Sequence, residues 1–292
     1  MSWIIFASIT VIFFAVANIL DKYVASNDIR DSVYLTFILS VTMFVIFSCL
    51  GFVGGHILIP YNIAIIAVLA GVSYSIAVWI YYFVIERMEV TKFMPIIALT
   101  PAIIAVVSFF FFSEHLKLIN YLAILIIIIG VIVISHQKHL PSSKKYYYLI
   151  AFISIIFFAI RDLLIKYCTM NVEHLWAVLF WAGLGGAIVP IFLIIFHHPH
   201  LRKKAKAGIG LVVLIGLFDV IGLVSYTKAI SLGSVALAAS FIATKPLIVL
   251  ILALIVSAVS SKIIREKFNR QTIIKKIVGT ILIVLGGIGL VL

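Results

Sequence analysis

Asp219 and Lys245 each stand near the middle of a long apolar run, and Arg161 with Asp162 stands about two-thirds of the way along another. An ionisable side chain at the centre of a membrane helix costs roughly 2.5–3.5 kcal/mol on insertion scales, so charges at that depth face a cavity or a partner. Two chemistries suit this set. Lys245 or Arg161 can hold a carboxylate or phosphate, and Asp219 or Asp162 can hold an amine or a proton. The alternative is internal neutralisation, Asp219 against Lys245 or Asp162 against Lys166 one helical turn on. Asn18 lies deep in the first run and can offer a cavity its amide. Trp79, Tyr81, Tyr82 and Tyr226 supply apolar walls with polar tips, unless they pack toward lipid. Asp21 and Lys22 fall within a turn of a run's end, where charged side chains can snorkel to the interface. Lys228 is placed in the same way, and Trp176 fits an aromatic belt. Pro101 and Pro246 follow polar residues in mid-run, where a proline frees a carbonyl one turn earlier and permits a kink that points to a pathway.

The elements that must position these residues follow from composition. Of 292 residues, 65% are hydrophobic and 11% charged, whereas a soluble domain is about 45–50% apolar and roughly 25% charged. A compact soluble sphere of this length cannot hide so much apolar side chain, which excludes a soluble enzyme, a nucleic-acid-binding domain and a disordered chain. One membrane helix takes about 20 apolar residues. The runs and their polar breaks read as ten spans, at about 2–25, 32–54, 61–85, 92–112, 117–135, 146–169, 174–196, 208–231, 234–257 and 271–292. The run from Ser2 lacks a basic leader and a cleavage site, so it reads as the first span. Cys49 and Cys168 lie inside apolar runs and indicate neither a disulfide framework nor a metal pair.

The chain is written twice. Phe13 to Tyr23 matches Phe157 to Tyr167 at an offset of 144, sharing Phe-Phe-Ala and Lys-Tyr. Gly71, Tyr81, Ile85, Val90 and Pro101 match Gly216, Tyr226, Ile230, Val235 and Pro246 at an offset of 145. The expected organisation is a first repeat over 1–138, a linker over 139–145 and a second repeat over 146–292. Five spans per repeat is an odd number, so the second repeat enters the membrane from the opposite side. Such inverted repeats are the architecture of many secondary transporters, which alternate access around a midplane site.

The net charge of +12 sorts by loop. Odd-numbered loops carry sixteen Lys and Arg, from Arg30 to Lys276, and even-numbered loops carry only Lys117. The positive-inside rule then puts the odd loops in the cytoplasm and both termini outside. His197-His198-Pro199-His200 has no acidic or Cys partner near it in sequence and is followed by Arg202-Lys203-Lys204, so no metal site is expected there. Gly51 with Gly55, and Ala182 with Gly186, have the small-xxx-small spacing that lets helices approach closely.

The stretch running Thr100-Pro101, Ser113-Glu114-His115 and Gly130 resembles the end of an EamA domain, of the drug/metabolite transporter superfamily. The second half repeats it with Lys245-Pro246 and Gly286-Gly287. The resemblance spans essentially the full chain and implies an all-α integral membrane fold of two inverted five-helix EamA repeats. Two departures stand out. From Pro246 to Gly286 there are 40 positions against 29 from Pro101 to Gly130, an insertion of eleven around Ser260 to Arg270, and Lys245 replaces an uncharged or acidic residue. Members are also commonly described with cytoplasmic termini, the reverse of the charge asymmetry here.

The reading is a secondary active transporter, an exporter or exchanger, moving a small polar organic metabolite such as an amino acid or organic anion across the cytoplasmic membrane. Lys245, Asp219, Arg161, Asp162, Asn18, Trp79, Tyr82 and Tyr226 are the candidate substrate residues, with Pro101 and Pro246 as helix breaks. No cofactor, metal, nucleic-acid partner or catalytic residue is expected. The partners are a small-molecule substrate and the bilayer, with proton coupling through Asp219 or Asp162 as a hypothesis. A flippase for a lipid-linked, phosphate-bearing substrate is the alternative, and it requires a cavity that opens sideways to the lipid.

Overall fold

In a computed structural model, the described residues are 2–55, 57–88, 93, 96–97, 99–113, 117–135, 142–197, 205–259 and 270–289. Eleven helices and no strands are found among them. In chain order they are α1 (Ser2–Asn27), α2 (Ser32–Val53), α3 (Tyr61–Ile85), α4 (Thr100–Phe112), α5 (Leu118–Ser135) and α6 (Ser142–Asn171). There follow α7 (Leu175–Phe196), α8 (Ala205–Leu232), α9 (Val235–Ile242), α10 (Lys245–Val259) and α11 (Arg270–Gly289). Seven segments are long and apolar enough to cross a membrane, with α9 and α10 together forming one of them, and three shorter apolar helices accompany them. The chain is a multi-pass membrane protein. In hydrocarbon every backbone polar group needs an internal partner, and the helix is the local way to supply it.

Helix ends are set by short polar breaks. Asp31 caps α2, its carboxylate accepting from Tyr34 N–H at 3.0 Å, and Ser234 caps α9 by accepting from Leu237 N–H at 3.3 Å. Gly55, with φ of 69°, turns the chain after α2, a conformation glycine adopts without steric cost. It meets nothing within 4 Å where a Cβ would stand, so its role is the turn and not the close packing that its spacing from Gly51 suggests. The backbone at Ala182 and Gly186 does pack closely, but the glycine this contact requires is Gly71. A Cβ on Gly71 of α3 would lie 1.9 Å from Ala182 O and 2.6 Å from Gly186 N.

The single span expected over 234–257 is two helices. The chain breaks at Ala243-Thr244, where Thr244 N–H donates to Phe241 O at 3.1 Å and Leu247 N–H to Thr244 O at 3.0 Å. The first half repeats the feature. Leu99 N–H donates to Ile96 O at 3.0 Å and Ala102 N–H to Leu99 O at 3.1 Å. Pro101 and Pro246 therefore sit in the first turn of α4 and α10, just after these tightened turns, and not in the middle of a kinked helix. A proline is well suited there because the first-turn N–H has no helical partner to lose.

The two repeats interlock. α1 lies against α8 and α10, and their counterparts α6 against α3 and α4. α2 packs on α7 and α8, and α3 on α7. α5 packs mainly on α11, where Cβ atoms on Gly130 and Gly279 would each meet the other's carbonyl oxygen at 2.6 and 2.5 Å. Each of the contacts named here has its counterpart with the halves exchanged, as a pseudo-two-fold relation demands.

Candidate functional site

The interlocked helices form a cavity of about 120 Å³, lined from α1, α2, α3, α4, α6, α8, α9 and α10. Its walls are largely matched positions of the two repeats. Phe14 faces it with Phe158, Asn18 with Asp162, Tyr74 with Asp219, Tyr81 with Tyr226, Thr100 with Lys245 and Pro101 with Pro246. Tertiary packing thus gathers most of the residues singled out in the sequence into one place.

On the α1 side, Asp21 is buried, 3% exposed. Tyr82 OH donates to its Oδ1 at 2.6 Å and Tyr81 OH to its Oδ2 at 2.8 Å. Asn18 Nδ2 donates to Tyr81 OH at 3.1 Å, and Asn18 Oδ1 is buried with no hydrogen-bond partner among the described residues. On the α6 side, Arg161 donates from Nη1 to Asp162 Oδ1 at 2.7 Å, and Tyr226 OH donates to Asp162 Oδ2 at 2.6 Å. The Arg161 guanidinium also lies 5.3 Å from the Tyr226 ring and 5.8 Å from the Tyr74 ring. Arg161 and Tyr74 border a second, smaller pocket of about 30 Å³ between α2, α3 and α7.

Asp219 and Lys245 are each 8% exposed and both line the main cavity. Among the described residues neither makes a hydrogen bond or a direct ion pair. Lys245 Nζ stands 5.5 Å from the Phe14 ring and interacts electrostatically with both Asp219 and Asp21. The internal pairings considered from sequence are corrected here. Asp219 and Lys245 share a cavity without bonding each other. Asp162 bonds Arg161 and Tyr226, while Lys166 donates to Gly233 O at 2.7 Å and Ile230 O at 3.2 Å.

Many transporters are built from internal repeats with a site at their interface, and this cavity is walled by matched positions of two repeats. The sequence pattern of the EamA-like transporter family matches residues 1–136 and again residues 145–292. The chain belongs to the EamA-like transporter family. It is thereby a transporter of the drug/metabolite superfamily, with two EamA repeats spanning the chain. Among solved structures, one described only as "Crystal structure of protein" is similar at a TM-score of 0.74 and 13% identity, covering 99% of this chain and 97% of that one. At that identity it supports the fold alone. No curated protein matches the chain.

In this EamA-like transporter, Asn18, Tyr82, Arg161, Asp162, Asp219, Tyr226 and Lys245 all line the cavity. Trp79 does not; it is half-buried on α3, and its Nε1 has no partner among the described residues. Asp21 is the residue that sequence reasoning placed wrongly. It counts as near a loop only if the first span ends at residue 25, but α1 runs on to Asn27 and holds Asp21 inside. The available signal was spacing, because Phe14, Asn18 and Asp21 recur at four and three residues and so share one helix face. Of the histidine cluster, His198 and His200 lie outside the described residues. His197 Nε2 bonds Asp31 Oδ2 at 2.7 Å, tying the end of α7 to the start of α2.

Proposed function

We propose that the protein is a secondary active transporter, an exporter or exchanger, of a small polar organic metabolite such as an amino acid or organic anion. It works by alternating access of two inverted five-helix halves, ten spans in all, in the cytoplasmic membrane. The odd loops face the cytoplasm and the termini face outside, following the sixteen-to-one distribution of loop bases. The observation that carries this reading is the cavity walled by corresponding residues of the two repeats, holding an unbonded Asp219 and an unbonded Lys245. Two unpaired opposite charges cannot be left dry in hydrocarbon at little cost. A bipolar solute would satisfy both, its anionic end on Lys245 and its amine on Asp219 and Asn18 Oδ1.

The test is counterflow in proteoliposomes preloaded with amino acids or organic anions. Labelled solute should accumulate transiently with the wild-type chain and not with Lys245→Ala. Accumulation no greater than in protein-free liposomes for every solute would overturn the reading. A pH gradient imposed on the same liposomes tests proton coupling. If the rate ignores the gradient while Asp219→Asn remains fully active, no coupling runs through Asp219.

A further inference from the structure

We infer that the solute carries one net positive charge, as a basic amino acid does, and that its extra cation docks beside Asp21 in a place left empty by the first repeat. This rests on the transporter reading above and narrows its substrate. The first argument is charge balance. Among the described residues the cavity is lined by three carboxylates, Asp21, Asp162 and Asp219, against two cations, Arg161 and Lys245. Counted as ionised, these described groups leave one negative charge over, in a region walled by apolar and aromatic side chains where an uncompensated charge is costly.

The second argument is the comparison of the two repeats. In each, a tyrosine at the same position donates to a carboxylate: Tyr226 to Asp162 at 2.6 Å and Tyr81 to Asp21 at 2.8 Å. In the second repeat the other carboxylate oxygen is neutralised by the guanidinium of Arg161 at 2.7 Å. The residue of the first repeat corresponding to Arg161 is Ala17, which has no charge to offer. Asp21 receives a second neutral hydroxyl instead, from Tyr82 at 2.6 Å. Among the described residues, the chain thus bonds its own cation to one of two related carboxylate–tyrosine sites and none to the other.

Unpartnered groups at the same place point to a ligand independently of the charge count. Asn18 Oδ1 is a buried acceptor with nothing to accept, and Asp219 is a buried carboxylate with no donor among the described residues. Lys245 is a single ammonium shared electrostatically between Asp219 and Asp21. A ligand with two cationic groups and one carboxylate gives Lys245 its anion and gives Asp21 and Asp219 a cation each. The tyrosine rings around the site add cation–π attraction for an ammonium or guanidinium.

The experiment uses the purified full-length protein with lysine, norleucine and glutamate, solutes of net charge +1, 0 and −1 that share an α-amino acid end. Binding by calorimetry and exchange in proteoliposomes are both measured. Lysine is expected to bind about tenfold or more tightly than norleucine, the gain of one charge-assisted contact, and glutamate more weakly than either. Asp21→Asn should erase the preference for lysine over norleucine, because the carboxylate that takes the extra cation is then gone. Lys245→Gln should lower affinity for both α-amino acids while keeping the rank order. If wild type binds norleucine as well as lysine, or prefers glutamate, the inference is overturned while the transporter reading stands. If no solute of any charge is bound or exchanged, the transporter reading itself fails. If Asp21→Asn keeps the lysine preference unchanged, the extra cation does not dock at Asp21 and the inference is overturned.

Discussion

Lys22 and Lys166 perform one task in two places. Each reaches across to the end of the third helix of its repeat, Lys22 donating to Ile85 O at 2.7 Å and Met88 O at 2.9 Å. Lys166 does the same to Ile230 O and Gly233 O, the corresponding carbonyls. The tightened turns before Pro101 and Pro246 are likewise the same in both repeats. The cavity walls behave differently. Tyr74, Thr100, Asn18 and Ala17 in the first repeat stand against Asp219, Lys245, Asp162 and Arg161 in the second. Asp21 stands against Ile165, so among the described residues the first repeat has a cavity acid where the second has an apolar side chain. The duplication kept the bonds that satisfy backbone carbonyls and let the groups that line the cavity diverge. In a bilayer an unsatisfied carbonyl is penalised at both positions alike, whereas one solute needs an asymmetric set of charges.

This contrast can be broken at several points. The largest effect is expected from Arg161→Ala, which strands Asp162 with Tyr226 alone. Removing one partner of a buried ion pair costs about 3–5 kcal/mol. Thermal unfolding in detergent should show that loss, and adding Asp162→Asn should recover most of it, since asparagine is what the first repeat has at that position. A smaller loss, up to about 3 kcal/mol from overpacking, is expected for Gly185→Ala. Its Cβ would lie 2.0 Å from Val68 O at the α3–α7 contact, whereas Gly186→Ala, with its nearest neighbour at 3.7 Å, should leave unfolding unchanged. Equal damage from both would mean that α3 and α7 do not approach as closely as described.

Lys22→Met and Lys166→Met sharpen the symmetry itself. Each should lower stability by about 1–2 kcal/mol for the carbonyls left without a donor, and by similar amounts. A loss confined to one variant would show that the two caps are not equivalent. The smallest effect is expected for His197→Gln. The ring is 44% exposed and its pair with Asp31 lies at the surface, where an ion pair contributes about 0–1 kcal/mol. A large loss there would make the α2–α7 tie a structural strut comparable to the lysine caps.

Much of this organisation is legible from residue order. The apolar runs, the two offsets and the paired prolines already describe a duplicated helical membrane protein, because hydrophobic length and repetition are one-dimensional properties. Asp162, Asp219 and Lys245 were also legible as cavity residues, since a charge in mid-run must turn away from lipid toward a cavity or a partner. Asp21 was not. Its depth depended on two further residues of helix, and boundaries are where sequence patterns are weakest. Trp79 erred in the other direction, because an aromatic at the right depth says nothing about which side of its helix meets the cavity. The break at Ala243-Thr244 was legible only in part: Pro246 marks a break in that run, but not that one helix ends before it and a second starts with the proline in its first turn.

The sequence by itself determined that this chain lives in lipid, that it is built of two related halves, and which charges are too deep to be accidental. Tertiary structure alone decided which charges are satisfied and which are free. Arg161 bonds Asp162, its neighbour in the chain, and Lys166 bonds carbonyls 64 and 67 residues away instead of the aspartate one turn before it. Asp219 and Lys245, adjacent in no sense along the chain, share one cavity without touching. The physical reason is that pairing depends on direction and distance across helices from different repeats, and these are fixed only when the halves close on each other.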